Sequence, residues 1–310
     1  AIYAAMSVNI LGHGMGLSGD MVLQGAPGLV ATAAGVDVGL VLGKGAILSI
    51  VTGVVAISIA YIMMIRDKEN GYVKPTKAAE AVEIEGTPIA KFFAVLVPVI
   101  FGIVIFVMVK NNIMGGSATA LLGGTGAFIL VVSSIAQHKG KCMEEVVGYI
   151  REGFLFAIKI FAPVIPIAGF FFLGGQESVQ ILGEGAPALL FDIGEFISNA
   201  LPMNKFGLGF GNLIIGIITG LDGSGFSGLP LVGGIAQALG GPAGVDVPTL
   251  AAVGQMGAVW SGGGTLTAWA FGLAATAGIA GIPPIEIARK NFVPVICGLV
   301  VSTIVAVFMM

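Results

Sequence analysis

The sequence predicts an all-α polytopic membrane protein, with inverted repeats, re-entrant hairpins and discontinuous transmembrane helices. Three observations carry that expectation. Of the 310 residues, 56% are apolar before the 50 glycines are counted, and 10% are charged, against roughly a quarter charged in an ordinary soluble domain. Several apolar runs reach the ~20 residues that cross about 30 Å of hydrocarbon. Two other apolar regions, 1–36 and 206–280, are interrupted by glycine, serine and aspartate, and backbone leaves the helix at membrane depth only where protein buries it or a watery cavity receives it. The same composition excludes a disordered chain, and a net charge of −3 offers no basic field to nucleic acid, which is excluded as a partner.

In chain order, residues 1–65 form the broken or re-entrant segment of repeat one and its span, the latter at Val38–Ile65. Residues 66–91 form a cytoplasmic linker of mixed charge, helical near Thr76–Glu85. Residues 92–205 hold the scaffold spans of repeat two, at Phe92–Val109, Ala118–Ala136 and Phe154–Leu173, and 138–153 is a charged connection. Residues 206–310 supply the broken transport segment of repeat two and the terminal span Phe292–Met310. Arg66, Lys68, Lys74, Lys77 and Lys91, then Lys139, Lys141 and Arg151, then Arg289 and Lys290 cluster in connections of one parity. The positive-inside rule makes those connections cytoplasmic, in the inner membrane of a cell, and leaves the C-terminus outside. Cys142 and Cys297 give no disulfide framework.

The two broken regions echo each other. Gly16-Leu-Ser-Gly-Asp20 with Pro27 and Gly35-Val-Asp37-Val stands against Gly220-Leu-Asp222-Gly-Ser224 with Pro230 and Gly244-Val-Asp246-Val. Asn9 and Asn212 precede the two motifs at similar distances. Corresponding, glycine-interrupted segments in two halves are how secondary transporters hold a solute near the midplane. By this pairing repeat one lacks an upstream part, which implies a longer parent protein or a companion N-terminal polypeptide.

The residues at the breaks suggest chemistry. Asp222, Ser224 and Ser227, with Ser18 and Asp20, offer the oxygen ligands that a hard cation such as Na⁺ takes, or a carboxylate that carries a proton. Ionisable groups at membrane depth are functional candidates by default, with helix capping as the alternative for Asp20 and Asp222. Asp37 and Asp246, each just before a long apolar run, read as helix caps. Trp260-Ser261-Gly-Gly263-Gly-Thr265-Leu-Thr267 brings three successive glycines and three hydroxyls into an apolar stretch. A helix restarting after Gly264 would aim free N–H groups at a carboxylate, and Gln255 reaches the same cavity. Cation-binding candidates are therefore Asn9, Ser18, Asp20, Asn212 and Asp222. Substrate-binding candidates are Ser224, Ser227, Gln255, Ser261, Gly263, Thr265 and Thr267. His13, between two glycines, is either a packing residue or a proton relay. Lys44 and Lys159 read as side chains that snorkel to the surface, and Glu286 with Arg289 as a surface pair.

The three arginines fall in connections, so an anion would be held by helix ends, hydroxyls and amides with a co-bound cation. No Walker-type loop, zinc-spaced Cys/His cluster, nucleophile elbow or Rossmann fingerprint is present in the sequence. An enzyme is not expected, nor any cofactor beyond Na⁺ as coupling ion.

With its duplicated broken segments, Gly-rich second break and terminal span, the chain resembles the ion transporter superfamily of organic-anion symporters and sodium/proton antiporters. From Leu221-Asp-Gly-Ser224 to Met310 its layout is most similar to the lactate and gluconate permeases. Many members carry Ser-Asn-Thr triplets at hairpin tips; here Asp222-Gly-Ser224 and Ser261–Thr265 stand in those places. The resemblance implies inverted repeats, a scaffold and a transport domain, alternating access and, in some members, a homodimer. The expected function is secondary active transport of a small organic anion, a carboxylate, coupled to Na⁺ or H⁺. The alternatives are a cation/proton antiporter of the same architecture and a membrane subunit of an ion-pumping decarboxylase complex.

Overall fold

The computed structural model describes residues 1–70, 87–162, 178–187, 189, 192, 196 and 202–310. Helix and turn account for the described backbone, and among the described residues there is no strand. Among the described residues, four helical stretches are long and apolar enough to cross a membrane: Val38–Glu69, Pro88–Lys110, Gly116–Ile158 and Pro284–Met309. The protein is all-α and polytopic. The proposed helix near Thr76–Glu85 and most of the Phe154–Leu173 span lie outside the described residues.

The chain divides into two compact units. The smaller comprises Val22–Gly25 and Pro75–Lys159. To name its helices in chain order, those of the larger unit's N-terminal part come first: α1 (Ile2–Val8), α2 (Gly16–Gly19), α3 (Gly25–Ala34) and α4 (Val38–Glu69). In the smaller unit α5 (Pro88–Lys110) starts on Thr87, whose hydroxyl accepts the Ala90 N–H, with proline in the first turn where no intrahelical donor is lost. It is followed by α6 (Gly115–His138), a 3₁₀ turn at Lys139–Lys141 and α7 (Cys142–Phe161). The charged stretch 138–153, expected to be a connection, is thus mostly helix. Glu144 and Glu145 occupy the first turn of α7, where acidic side chains complement the helix dipole, and the interruption between α6 and α7 is at Lys139, with φ of +52°. Phe92, Val95, Val99, Ile103 and Phe106 are exposed along α5, a face suited to lipid.

The larger unit comprises Ala1–Met21, Ala26–Lys74 and Ile160–Met310. Its C-terminal part contributes α8 (Lys205–Thr219), α9 (Leu229–Gly240), α10 (Val247–Ala258), α11 (Phe271–Ala280) and α12 (Pro284–Met309). Two seven-residue π-helical turns, Asn9–Met15 and Val259–Thr265, continue α1 and α10. The spine is the pair α4 and α12. They meet through small residues: Thr52 donates to the Ser302 hydroxyl at 2.8 Å, and a Cβ on Gly298 would stand 2.7 Å from the Thr52 carbonyl; on other parts of α4 the buried Gly45 and Ser49 face Ser18, and Gly53 faces Met15. Membrane helices use small side chains in this way because no hydrophobic drive separates them from lipid.

Among the described residues one turn recurs three times on glycine and once on Asn112, where the Ile113 N–H returns to the Met108 carbonyl at 2.9 Å. After α3, α9 and α11 the chain passes through Gly35, Gly244 and Gly281, with φ of +64°, +66° and +64°, a conformation that costs glycine nothing. The next residue returns its N–H to a helix carbonyl: Val36 to Ala31 at 3.1 Å, Val245 to Gly240 at 2.9 Å, Ile282 to Ala277 at 3.1 Å. This is a Schellman closure. A long helix then begins at Val38, Val247 or Pro284. Asp37 and Asp246 cap two of these starts, accepting the N–H of Gly39 and of Thr249, as their place in the sequence predicts.

The sequence repeat pairs 16–38 with 220–247. The elements pair 1–69 more closely with 247–309. Both stretches run helix, π turn, a break (20–24 or 266–270), a ten-residue helix, the glycine turn and a further helix, with α2 inserted between π turn and break in the first stretch alone. Glycines flank one residue in each π turn, at Gly12 and Gly14 and at Gly262 and Gly264.

Candidate functional site: the crossing of the broken helices

The two π turns pack against each other inside the larger unit. A π turn frees carbonyls from the regular ladder and is common at functional sites. Each turn drives a ring into a glycine of the other. Trp260, fully buried, lies over Gly14, where a Cβ would stand 2.6 Å from the ring edge. His13 lies against Gly264 and Gly272, where a Cβ would overlap the imidazole or its Cβ.

A polar layer is buried at this crossing. The Trp260 indole donates to Ser18 Oγ at 2.8 Å; Ser18 Oγ donates to the Gly14 carbonyl at 2.7 Å and shares a 2.7 Å hydrogen bond with Ser49 Oγ. Gln255 Nε2 donates to the Ser18 carbonyl at 2.8 Å, and Asn291 Nδ2 to the Thr265 carbonyl at 3.2 Å. Both carbonyls lie where a helix stops, and a helix end leaves such acceptors orphaned. Side-chain amides from α10 and α12 plug them. Gln255 therefore caps a helix end in this structure. Asn291 is not among the sequence-derived candidates, because it follows Arg289 and Lys290 at the charged edge of the terminal span, where an amide reads as surface.

The breaks also meet. The Trp269 indole donates to the Leu221 carbonyl at 2.7 Å, the Phe271 N–H to the Gly223 carbonyl at 3.2 Å, and a Cβ on Gly225 would stand 2.6 Å from Gly263 N. Gly263 is buried in this backbone contact. The helix does not restart after Gly264, as the triple glycine suggested: the π turn runs on to Thr265 and α11 begins at Phe271. Ser261 Oγ bonds the Gly257 carbonyl at 2.8 Å, Thr265 Oγ1 the Trp260 carbonyl at 2.5 Å, and Thr267 Oγ1 the Ser261 carbonyl at 2.9 Å. These three hydroxyls, all buried, spend their donors on main chain that the π geometry leaves free.

Asp222 is 1% exposed and ends a 3₁₀ turn at Gly220–Asp222. Its Oδ1 accepts the N–H of Ser224 at 2.9 Å and of Gly225 at 3.3 Å. Its Oδ2 accepts both the Ser224 and the Ser227 hydroxyl. Four donors fill the four lone-pair sites of a carboxylate, and they organise the loop 223–228 as a compact tip. Ser224 and Ser227 are half-buried. Asp20, with φ of +29°, closes α2, and its Oδ2 accepts the Ala26 N–H at 3.1 Å, a cap for the start of α3. Asn212 Nδ2 ties the Val232 carbonyl at 3.2 Å and the Leu250 carbonyl at 2.9 Å, joining α8 to α9 and α10. Asn9 Nδ2 reaches Thr276 Oγ1 at 3.2 Å and His13 Nδ1 at 3.2 Å. The carbonyl oxygens of Asn9, Asn212, Gln255 and Asn291 are buried with no hydrogen-bond partner. Thus Asn9 and Asn212 keep the free oxygen a hard cation needs, whereas Asp222 in this state does not.

Lys44 pairs with Asp246 at 3.7 Å, rather than reaching only for the surface. At the other end of α4, Asp67 binds both Lys290 and the Tyr3 hydroxyl. Arg289 pairs with Glu286 at 2.8 Å as expected. Both cysteines are free. No group of three or more metal-ligating His, Cys, Asp or Glu occurs among the described residues.

Compared with known proteins, the chain is 40% identical over 318 aligned positions to the uncharacterized membrane protein YhfA of Bacillus subtilis (strain 168), an alignment covering 99% of this chain and 68% of that protein. The chain belongs to the YhfA family of membrane proteins. Its apolar helices agree with that membership. No family model and no solved structure matches.

Proposed function

We propose that this YhfA-family protein is a secondary active transporter that moves a small carboxylate together with Na⁺ or H⁺, by alternating access around the broken helices. One observation carries the reading: two glycine-rich π turns cross at the middle of interrupted helices, and the break that follows the second of them meets a further break at Asp222. Regular packing needs none of this, whereas a membrane-depth solute site needs unwound backbone. The half-buried Ser224 and Ser227, whose hydroxyls donate to Asp222 in this state, would serve an anion by turning away from that carboxylate, beside the start of α11, which no side chain caps. A carboxylate beside the buried Asp222 would repel it unless a cation entered with it, which is a physical basis for coupling. The test is uptake of labelled small carboxylates by proteoliposomes, with an inward Na⁺ gradient, an inward H⁺ gradient or neither. Gradient-driven accumulation that Asp222→Asn abolishes, in a variant that stays folded, supports the reading. Cation exchange against protons without any organic solute would favour the antiporter instead.

A further inference from the structure

The surroundings of His13 differ from those of the other buried polar side chains in one respect: a hydrogen bond there reverses when a single proton is added. The imidazole is half-buried in a cradle made by two glycines of the opposite broken helix, Gly264 and Gly272, and Phe271 meets it edge-on with centroids 6.5 Å apart. Its Nδ1 is 3.2 Å from Asn9 Nδ2. An amide NH₂ only donates, so in this orientation Nδ1 is an acceptor only for a neutral ring with its hydrogen on Nε2. The same NH₂ reaches Thr276 Oγ1 and, at 3.4 Å, the Gly272 carbonyl. Asn9 therefore ties the first π turn to α11. Its other end, Oδ1, is buried and unpartnered. Amide orientation follows from the hydrogen-bond network, and here the network chooses the orientation that suits a neutral ring.

We propose that His13 is a proton-binding site whose occupancy releases the first π turn from α11 through rotation of the Asn9 amide. When Nδ1 takes up a proton it becomes a donor, and the Asn9 NH₂ facing it becomes a clash of two donors. Turning the amide about its bond brings the orphaned Oδ1 to Nδ1–H and withdraws Nδ2 from Thr276 and Gly272. Uptake of H⁺ thus costs the tie between the two broken helices and satisfies an oxygen that is otherwise unpaired. The charged and titratable groups on the elements packed against this turn are few. The Val259–Thr265 turn, α2 and α11 bear none. Tyr3 on α1 and Asp67 on α4 bond each other and Lys290; Lys44 on α4 pairs with Asp246; Tyr61, Arg66, Lys68 and Glu69 lie in the last part of α4, near the Asp67 end. Asp20, after α2, caps α3. Resting on the transport reading, the inference makes H⁺ the coupling ion and His13 its carrier.

Trp260 reports on the site, because its ring lies over Gly14, the neighbour of His13. In the full chain reconstituted in nanodiscs, Trp269→Phe leaves Trp260 as the one tryptophan and His138→Gln leaves His13 as the one histidine. Trp260 emission should then fall reversibly with a one-proton slope between about pH 5 and 8, the range in which imidazoles titrate, and His13→Gln should abolish the step. An unchanged step in His13→Gln overturns the proposal. If that variant does not fold, ¹⁵N-histidine NMR of the His13-containing protein decides: the Nε2–H tautomer at high pH giving way to imidazolium supports it, and a ring that stays neutral to pH 5, or the Nδ1–H tautomer, overturns it. A titrating His13 in a protein that moves no carboxylate upholds the proton site and defeats the transport reading, so the two fail separately.

Discussion

The packing of α8 on α10 predicts a sharp contrast between two glycine-to-alanine changes. On Gly216 an added Cβ would overlap the Gly254 carbonyl and stand 3.0 Å from Ala258 N and 3.1 Å from Gly257 Cα. The contact is reciprocal, since a Cβ on Gly257 would stand 3.0 Å from Ile217 N and 3.1 Å from Gly216 Cα. Every opposing atom is main chain of a buried helix, so no rotamer change makes room. Restoring ordinary carbon contacts of about 3.5–4.0 Å requires the helices to part by ~1 Å, and a gap of that size forfeits a quarter to a half of each dispersion contact it opens. Overpacking of this kind costs about 1–3 kcal/mol, and Gly216→Ala belongs at the upper end because Asn212 and Leu213 also meet α10 along the seam. Gly234 on α9 has nothing within 4 Å of its virtual Cβ, so Gly234→Ala should be neutral or stabilise by up to ~1 kcal/mol, the helix-propensity gain. Thermal unfolding of the purified protein in one detergent measures both. Equal midpoints for the two variants would refute the close-approach account of this interface.

Two further outcomes follow from the site. Gln255→Met removes the amide from the Ser18 carbonyl while keeping the volume, and should destabilise by about 1–3 kcal/mol, the cost of an unsatisfied buried acceptor; a stability equal to wild type would show that water replaces the amide. Asp222→Asn replaces one acceptor oxygen by a donor that faces two serine hydroxyls. Limited proteolysis should then cut the 223–228 loop faster than in wild type, while a double variant Ser224→Ala, Ser227→Ala should lose less when Asp222 is also changed than the separate effects add up to.

How much of this was legible in the sequence depends on how local the physics is. The caps at Asp37 and Asp246 were, because an aspartate ahead of an apolar run has little else to do, and the run itself marks the helix. The interruption near Asp222 was, because Gly223 and Gly225 adopt φ of +86° and +73° beside a carboxylate that gathers nearby donors. The π turns were not. Glycine spacing is the same for a turn that widens and for a loop that breaks, and the choice is made by Trp260 and His13 finding glycines on the other chain segment. The donors of Ser261, Thr265 and Thr267 went to carbonyls exposed by that widening, which no pattern of hydroxyls announces. Gln255 and Asn291 act on carbonyls 237 and 26 residues away. The pairing of Asp67 with Lys290 likewise requires that α4 and α12 run side by side, a tertiary fact. The third glycine turn was hidden because Gly281-Ile-Pro283 shares only its glycine with Gly35-Val-Asp37.

The two ion pairs on α4 give the last expectation. Lys44 and Asp67 are separated by 23 residues of one helix, or about 35 Å at 1.5 Å per residue, which exceeds the hydrocarbon thickness of about 30 Å. They therefore belong to opposite ends of the span, and each ties α4 to the C-terminal part of the larger unit. The two ties are unequal. Lys44 and Asp246 are 3.7 Å apart with side chains 32% and 38% exposed, and Asp246 also accepts from the Thr249 hydroxyl at 2.5 Å, so the lysine competes for an oxygen already in use. A double-mutant cycle between Lys44→Ala and Asp246→Ala should give a coupling of about 0.5 kcal/mol or less, in keeping with exposed pairs, and the coupling should shrink as salt rises. Asp67 instead receives Lys290 and the Tyr3 hydroxyl together, with Lys290 also lying 5.3 Å from the Tyr3 ring centroid. The cycle between Asp67→Ala and Lys290→Ala should exceed the first by at least about 0.5 kcal/mol, because charge-assisted hydrogen bonds in a network support one another. Tyr3→Phe should bring it down toward the first value. If the Asp67 cycle gives no more than the Lys44 cycle, or is untouched by Tyr3→Phe, the three side chains do not act as one unit and the inequality between the two ends of α4 is not real.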